Sequence, residues 1–187
     1  MVDKKIFDDL RKQIKLNDDE RERYIVDSRP IIKHSKQAIY ALHRNKFTDA
    51  DELIKKAIDA LKKLDRSEVG PYKAALQELC EAVTYQYYIK NKKLVSPEKI
   101  GFEIDANNYL LGICDLTGEL ARRAVMNTIN EEYDEIKFIK EFVSDIYNEF
   151  LKFEFRNGEL RKKSDSIKWN LKKIEEIIYD IKIRDKI

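Results

Sequence analysis

Helix breakers are almost absent from this chain: five Gly and three Pro occur in 187 residues, about 4% where an average protein carries roughly 12%. Sandwiches, barrels and Gly-rich phosphate loops depend on those residues, because Gly reaches positive φ without strain and Pro presets the first corner of a turn. An all-α fold is what remains. The few Gly and Pro residues also fall where a helical reading wants boundaries, and the segments between them repeat apolar side chains at three- and four-residue spacing. Hydrophobic residues make up 43% and charged ones 39%, enough apolar material for a core beneath a charged surface, which excludes a disordered chain. The length suits one domain over residues 1–187.

The pattern predicts six or seven helices, seven if the short turn at SPEKIGF (96–102) is counted as the fourth. The first runs from Asp18, or from as early as Asp3, to Asn45, with a kink expected at Pro30. Thr48 is expected to cap the second, DADELIKKAIDALKKLD, which starts acidic and gathers lysines towards its end as the helix dipole favours. Gly70-Pro71 opens the third, which continues to about Lys90. Asp105 caps a helix to about Ile129, acidic EEYDE begins another that ends near Phe155, and Asn157-Gly158 precedes the last. In that last helix Leu160, Ile167, Leu171, Ile174, Ile178 and Ile181 form a near-heptad stripe that must pack on something.

Several function classes fall away. No run approaches the roughly 18 apolar residues of a membrane span, and MVDKKIFDDLRK holds no secretory h-region, so a cytoplasmic chain without membrane association is expected. Cys80 and Cys114 lack CxxC spacing and sit among apolar residues, which suits reduced, buried thiols. The formal net charge is +2, so attraction for nucleic acid has to come from local clustering of charge.

Charge is missing where it should be plentiful. A chain this rich in charged residues should place about six in any 16-residue window, yet Ala74–Ile89 holds only Glu78 and Glu81, and Ala106–Ala121 only Asp115 and Glu119. At 3.6 residues per turn, Glu78 and Glu81 project within about 60° of each other and Asp115 and Glu119 within about 40°. Carboxylates on otherwise apolar helices must be paired, protonated or bound to a cation. Two readings stay open: hard oxygen donors converging on Mg²⁺ or Mn²⁺, or salt bridges to Arg122, Arg123 or lysines from other helices. A ferritin-like di-iron site is disfavoured, because position 81 is Glu and neither His34 nor His43 lies on these helices. Asn108, Gly112, Asp115, Glu119 and Arg122 share one stripe, with Gly118 at its edge. Two Gly inside a helix suggest close approach of another backbone or of a ligand.

The first helix adds a basic surface. Between Ser28 and Lys46 there are five Lys or Arg residues and no acid, and Arg29, Lys33, Lys36, Tyr40, His43 and Arg44 fall within roughly 100°. Ile31, Ala38 and Leu42 lie opposite. Such a face suits phosphate tracking along single-stranded nucleic acid, and also suits a merely solvated surface. Tyr85 and Tyr88 continue the face of Glu78 and Glu81, either as stacking platforms or as core tyrosines.

Four segments carry a family resemblance: SRPIIKHSKQAIYALHR at 28–44, LQELCEAV at 76–83, YLLGICDLTGELARR at 109–123 and LRKKSDSIKWNLKKIEEIIYDIKIR at 160–184. With them the chain resembles the translin family, and within it the catalytic branch of translin-associated factor X subunits. The resemblance implies a seven-helix bundle assembling into a closed, hollow octamer. It also implies a Mg²⁺-dependent endoribonuclease acting on single-stranded RNA, with Glu78, Glu81 and Asp115 as catalytic and metal-binding acids and Glu119 as the fourth acid. Lys36, Arg44 and Arg122 match basic positions expected to face the RNA. The non-catalytic translin branch lacks the aspartate corresponding to Asp115. Pro30 departs from the pattern, replacing the usual acidic residue after the arginine. The expected assembly is a homo-octamer or a hetero-oligomer with a translin-like subunit. The rival from another class is a non-catalytic oligomer that binds single-stranded RNA or DNA.

Overall fold

Long uninterrupted helices are the direct consequence of so few breakers. The computed structural model describes residues 3–184 and contains, among them, six α-helices and one short 3₁₀ turn: α1 (Lys4–His43), α2 (Phe47–Leu61), α3 (Gly70–Asn91), the turn Pro97–Lys99, α4 (Ala106–Ile129), α5 (Tyr133–Phe150) and α6 (Glu159–Ile183). Six is the lower of the two counts that the pattern allows, and one fewer than the seven implied by the resemblance. SPEKIGF is too short and too rich in Pro and Gly to hold more than one 3₁₀ turn. No described helix is long and apolar enough to cross a membrane.

Asp3 caps α1, its side chain accepting from the Lys5 N–H at 2.9 Å, and the helix continues through Pro30 to His43. At 1.5 Å per residue its 40 residues span about 60 Å, and residues 3–23 stand exposed. The bundle begins at Tyr24, followed by Ser28, Ile31, Ser35, Ala38 and Leu42 along the buried face. Thr48 does not cap α2; the helix starts one residue before it. Asn45 adopts a positive φ of 57°, and the Asn45 and Lys46 N–H groups return to the Leu42 and Ala41 carbonyls. That turn closes α1 so tightly that the chain re-enters a helix at Phe47.

Asp105 caps α4 as expected, accepting from the Asn108 N–H at 3.0 Å. α5 ends at Phe150 rather than near Phe155. Leaving the helix lets Phe153 and Phe155 stack with centroids 5.1 Å apart, each ring lying within about 6 Å of Phe150. The chain makes these ring contacts where the pattern leads one to expect a further helical turn.

α3 and α4 form the centre, α1 and α2 flank α3, and α5 and α6 pack on α4. Leu79, Leu116, Leu120, Ile139, Ile167 and Ile174 are fully buried where these helices meet, each contributing about 1.5–3 kcal/mol by leaving water. The α6 stripe packs inward through Ile167, Leu171, Ile174 and Ile181, with Leu160 and Ile178 at its edge. Cys80 and Cys114 are free and buried.

Candidate active site

The four acids isolated by charge depletion line one cleft of about 660 Å³, together with Lys36 and Tyr40 from α1, Arg122 from α4, and Lys163 and Asn170 from α6. α3 presents Glu78 and Glu81 and α4 presents Asp115 and Glu119. The α3–α4 packing brings the two helices close enough to share the cleft. Gly112 makes this possible: a Cβ there would lie 2.7 Å from both Cβ and Sγ of Cys80, and 3.2 Å from the Gln77 carbonyl oxygen. Gly118 faces Asn170 with ordinary spacing, so close backbone approach accounts only for Gly112.

Three of the acids already hold cationic or hydrogen-bonding partners. Lys36 Nζ lies 3.0 Å from Glu78 Oε1, and Lys163 Nζ donates to Asp115 Oδ2 at 2.5 Å. Glu119 meets His43 Nε2, with Arg122 3.7 Å away. Glu81 has no ion-pair partner among the described residues and is 9% exposed. Burial, and then the Asp115, Glu119 and Glu78 carboxylates, push its carboxyl up to about 8, while Lys163 offsets part of the rise. The hydrogen bond to Glu78 holds Lys36 above the ordinary lysine value. The four acids thus line one cleft, and of the two open readings the ion pairs are the one seen: lysines from neighbouring helices neutralise Glu78 and Asp115.

In donor type, though not in spacing, the carboxylates suit a hard divalent cation. Four carboxylates face one cleft, and the unpartnered Glu81 marks a shortage of positive charge that such an ion would relieve. Among the described residues, no three Asp, Glu, His or Cys side chains stand close enough to clasp one ion. Lys36 and Lys163 fill that electrostatic role instead.

Arg44 lies outside this cleft. It borders an adjoining groove with Lys36, Tyr40 and Lys46, its guanidinium 5.3 Å from the centre of the exposed Tyr40 ring. His43, expected on the basic surface, is buried. It lies one turn beyond the buried Ile39 and two beyond the buried Ser35 on the same face of α1, and it pairs there with Glu119. Tyr85 and Tyr88 are core tyrosines. Lys163 was missed by sequence reasoning, although a lysine seven residues before Asn170 and four before the buried Ile167 signals a charge turned towards the packed side of α6.

Glu81 gives stability a pH dependence of known sign. Between pH 4.5 and about 8 the folded chain keeps a proton on Glu81 that the unfolded chain releases, so stability falls as pH rises through that window and levels off above it. Glu81→Gln should remove this decline. By pH 8 the variant is expected to be more stable than the parent by a few kcal/mol. Thermal melts of both proteins from pH 5 to 8 check this; parallel curves would refute it.

Comparison with known proteins decides the lineage. The family model described as "Translin family" matches residues 19–185. The chain belongs to the translin family. This translin-family chain is 31% identical to Translin of Gallus gallus over 125 residues, which covers 60% of the chain and only 55% of that protein. Against Translin-associated protein X of Rattus norvegicus it is 26% identical over 226 residues, covering 95% of the chain and 78% of the relative. This is the long match expected of a member resembling the factor X branch. The crystal structure of apo-NeC3PO matches with a TM-score of 0.76 at 26% identity, covering 92% of the chain and 95% of that structure. AfC3PO superposes with a TM-score of 0.79 at 24% identity, covering 95% and 97%, and agrees in fold. A further matching structure is that of AfC3PO in complex with duplex RNA.

Proposed function

We propose that this chain is a subunit of a Mg²⁺-dependent endoribonuclease that cuts single-stranded RNA inside a hollow oligomer, either a homo-octamer or a hetero-oligomer with a translin-like subunit. The observation that carries the reading is the convergence of Glu78, Glu81, Asp115 and Glu119 on one cleft with Lys36, Arg122 and Lys163 around them. Kinship with Translin-associated protein X and with the C3PO structures supports it.

Glu78, Glu81 and Asp115 would hold Mg²⁺, or Mn²⁺ in its place. When bound, such an ion polarises the phosphoryl group and lowers the pKa of an attacking water. Glu81, protonated up to about pH 8 in the present cleft, would serve as a ligand only in its ionised form. Lys36 and Lys163, now paired with Glu78 and Asp115, would be the cations at hand for phosphate oxygens beside Arg122. Glu119 orients the attacking water. The adjoining groove of Lys36, Tyr40, Arg44 and Lys46 continues the positive surface beyond the cleft, along a path suited to a flexible strand.

The test is cleavage of an end-labelled single-stranded RNA by protein freed of contaminating nucleases, with Mg²⁺ or with EDTA. Cleavage confined to the Mg²⁺ lanes is expected. Binding without cleavage in every lane would replace the reading with that of a non-catalytic RNA-binding or DNA-binding oligomer. Arg44→Ala should weaken RNA binding similarly for different sequences and reduce the salt dependence by about one phosphate contact. Titrations at three salt concentrations measure it, and an unchanged slope would remove Arg44 from the path.

A further inference from the structure

A buried hydrogen-bonded chain runs from the cleft into the core, and its middle member is a residue that the proposed chemistry does not use. The His43 side chain is 4% exposed. Its Nε2 meets Glu119 at the cleft wall, and its Nδ1 lies 3.1 Å from the Tyr85 hydroxyl. Behind Tyr85 stands Arg123, itself buried and held between the Leu42 carbonyl and Glu135.

Between the two neutral tautomers of His43, donor and acceptor chemistry selects one. Glu119 as a carboxylate only accepts, so His43 Nε2 must carry a hydrogen. Burial raises the Tyr85 phenol well above its ordinary value, so it keeps its proton. The neighbouring Arg123 guanidinium can only donate, which leaves His43 Nδ1 as the acceptor for the Tyr85 O–H. One neutral tautomer, protonated on Nε2, satisfies all three groups. The alternative tautomer would set a bare ring nitrogen against a carboxylate and leave the buried hydroxyl without an acceptor.

The geometry points to His43 as the positioning residue for Glu119, with Tyr85 holding the imidazole in the tautomer that this task requires. His43 touches no substrate. It holds Glu119 Oε2 while Glu119 lines the cleft, which restricts the directions in which the carboxylate can meet a water. Arg122, half-exposed and 3.7 Å away, cannot supply the same constraint because its long side chain is free to swing towards solvent. This inference rests on the nuclease reading and assigns a role that the acids and surface cations do not fill.

Four variants test it: His43→Phe, His43→Gln, Tyr85→Phe and Glu119→Gln, each assayed for kcat and KM on single-stranded RNA with Mg²⁺ and for RNA binding in EDTA. His43→Phe keeps a ring in the core but offers no donor, and should lower kcat about 10–100-fold with KM and binding unchanged. His43→Gln, whose amide N–H can still donate to Glu119, should restore most of the rate. Tyr85→Phe should fall between the two. In the Glu119→Gln background, His43→Phe should cost almost nothing further, because the two residues act as one unit, whereas general loosening of the core would add its own cost. Long-range ¹⁵N–¹H spectra of the imidazole provide a readout apart from activity, and should show a hydrogen on Nε2 and a bare Nδ1 whose shift moves in Tyr85→Phe. An active parent with an unimpaired His43→Phe variant, or fully additive losses in the double variant, would overturn the positioning role and leave the nuclease reading intact. An inactive parent would overturn both.

Discussion

Asp115→Asn is expected to lower RNA cleavage on the order of 10³-fold while leaving assembly and RNA binding in place, since a bound ion contributes several kcal/mol of charge stabilisation at the phosphoryl group. Asparagine keeps the shape of the side chain and an oxygen that can accept from Lys163, now 2.5 Å from Asp115. The charge is lost, and one of the two acceptor oxygens becomes an NH₂ donor that cannot ligate a cation. Both members of that pair are about a third exposed, so the stability cost is small. The neighbouring acid supplies an internal control. Asp115 is the largest carboxylate contribution to the raised pKa of Glu81, so the variant should shift the Glu81 titration downward from about 8. RNA binding in EDTA should hold or strengthen, because the cleft has lost a negative charge that faces phosphate. Single-turnover cleavage, a filter-binding curve and a carboxyl titration measure the three effects. Cleavage within tenfold of the parent would remove Asp115 from the chemistry, even if the Glu81 shift appeared as expected.

The acids were legible in the sequence because they are conspicuous by contrast. Glu78 and Glu81 stand in a window from which other charges are missing, as do Asp115 and Glu119, and helical periodicity places each pair on one face. Those are local properties. Their meeting across α3 and α4 required only that the two helices pack, and Gly112 marked where. The partners of the acids were less legible. Lys163 lies 48 residues from Asp115 and His43 lies 76 from Glu119, and a charge or an imidazole on a helix carries no sign of which distant carboxylate it will meet. His43 was assigned to the basic surface from its angular position alone. Its inward side was readable from Ile39 and Ser35, one and two turns before it on the same face and both buried. The end of α5 was misplaced because ring contacts among Phe150, Phe153 and Phe155 stand where the pattern favoured a further turn. Fold class and acid set are thus encoded locally, whereas the neutralising partners and the helix ends are tertiary outcomes.

Gly112→Val should destabilise the fold by about 3 kcal/mol or more, at the upper end of what overpacking costs, and a chain of this size then melts roughly 6–12 °C lower. The cause is contact with atoms that cannot turn aside. A Cβ at 112 lies 2.7 Å from the Cys80 Cβ, which is fixed to the α3 backbone, and 3.2 Å from the Gln77 carbonyl oxygen. Relief comes only if α3 and α4 separate. The better helix propensity of a non-glycine residue, worth at most about 1 kcal/mol, does not offset this. Separation also draws Glu78 and Glu81 away from Asp115 and Glu119, so any fraction that folds should cleave RNA poorly at temperatures well below its melt. Gly112→Ala should show a smaller loss of the same kind. Exchanging the small residue across the interface, with Gly112→Ala combined with Cys80→Gly, removes the Cβ that blocks the way and should recover part of both stability and cleavage. A melting temperature of Gly112→Val equal to that of the parent would mean that the helices have room to spare, and close approach at Gly112 would no longer explain how two carboxylate pairs come to share one cleft.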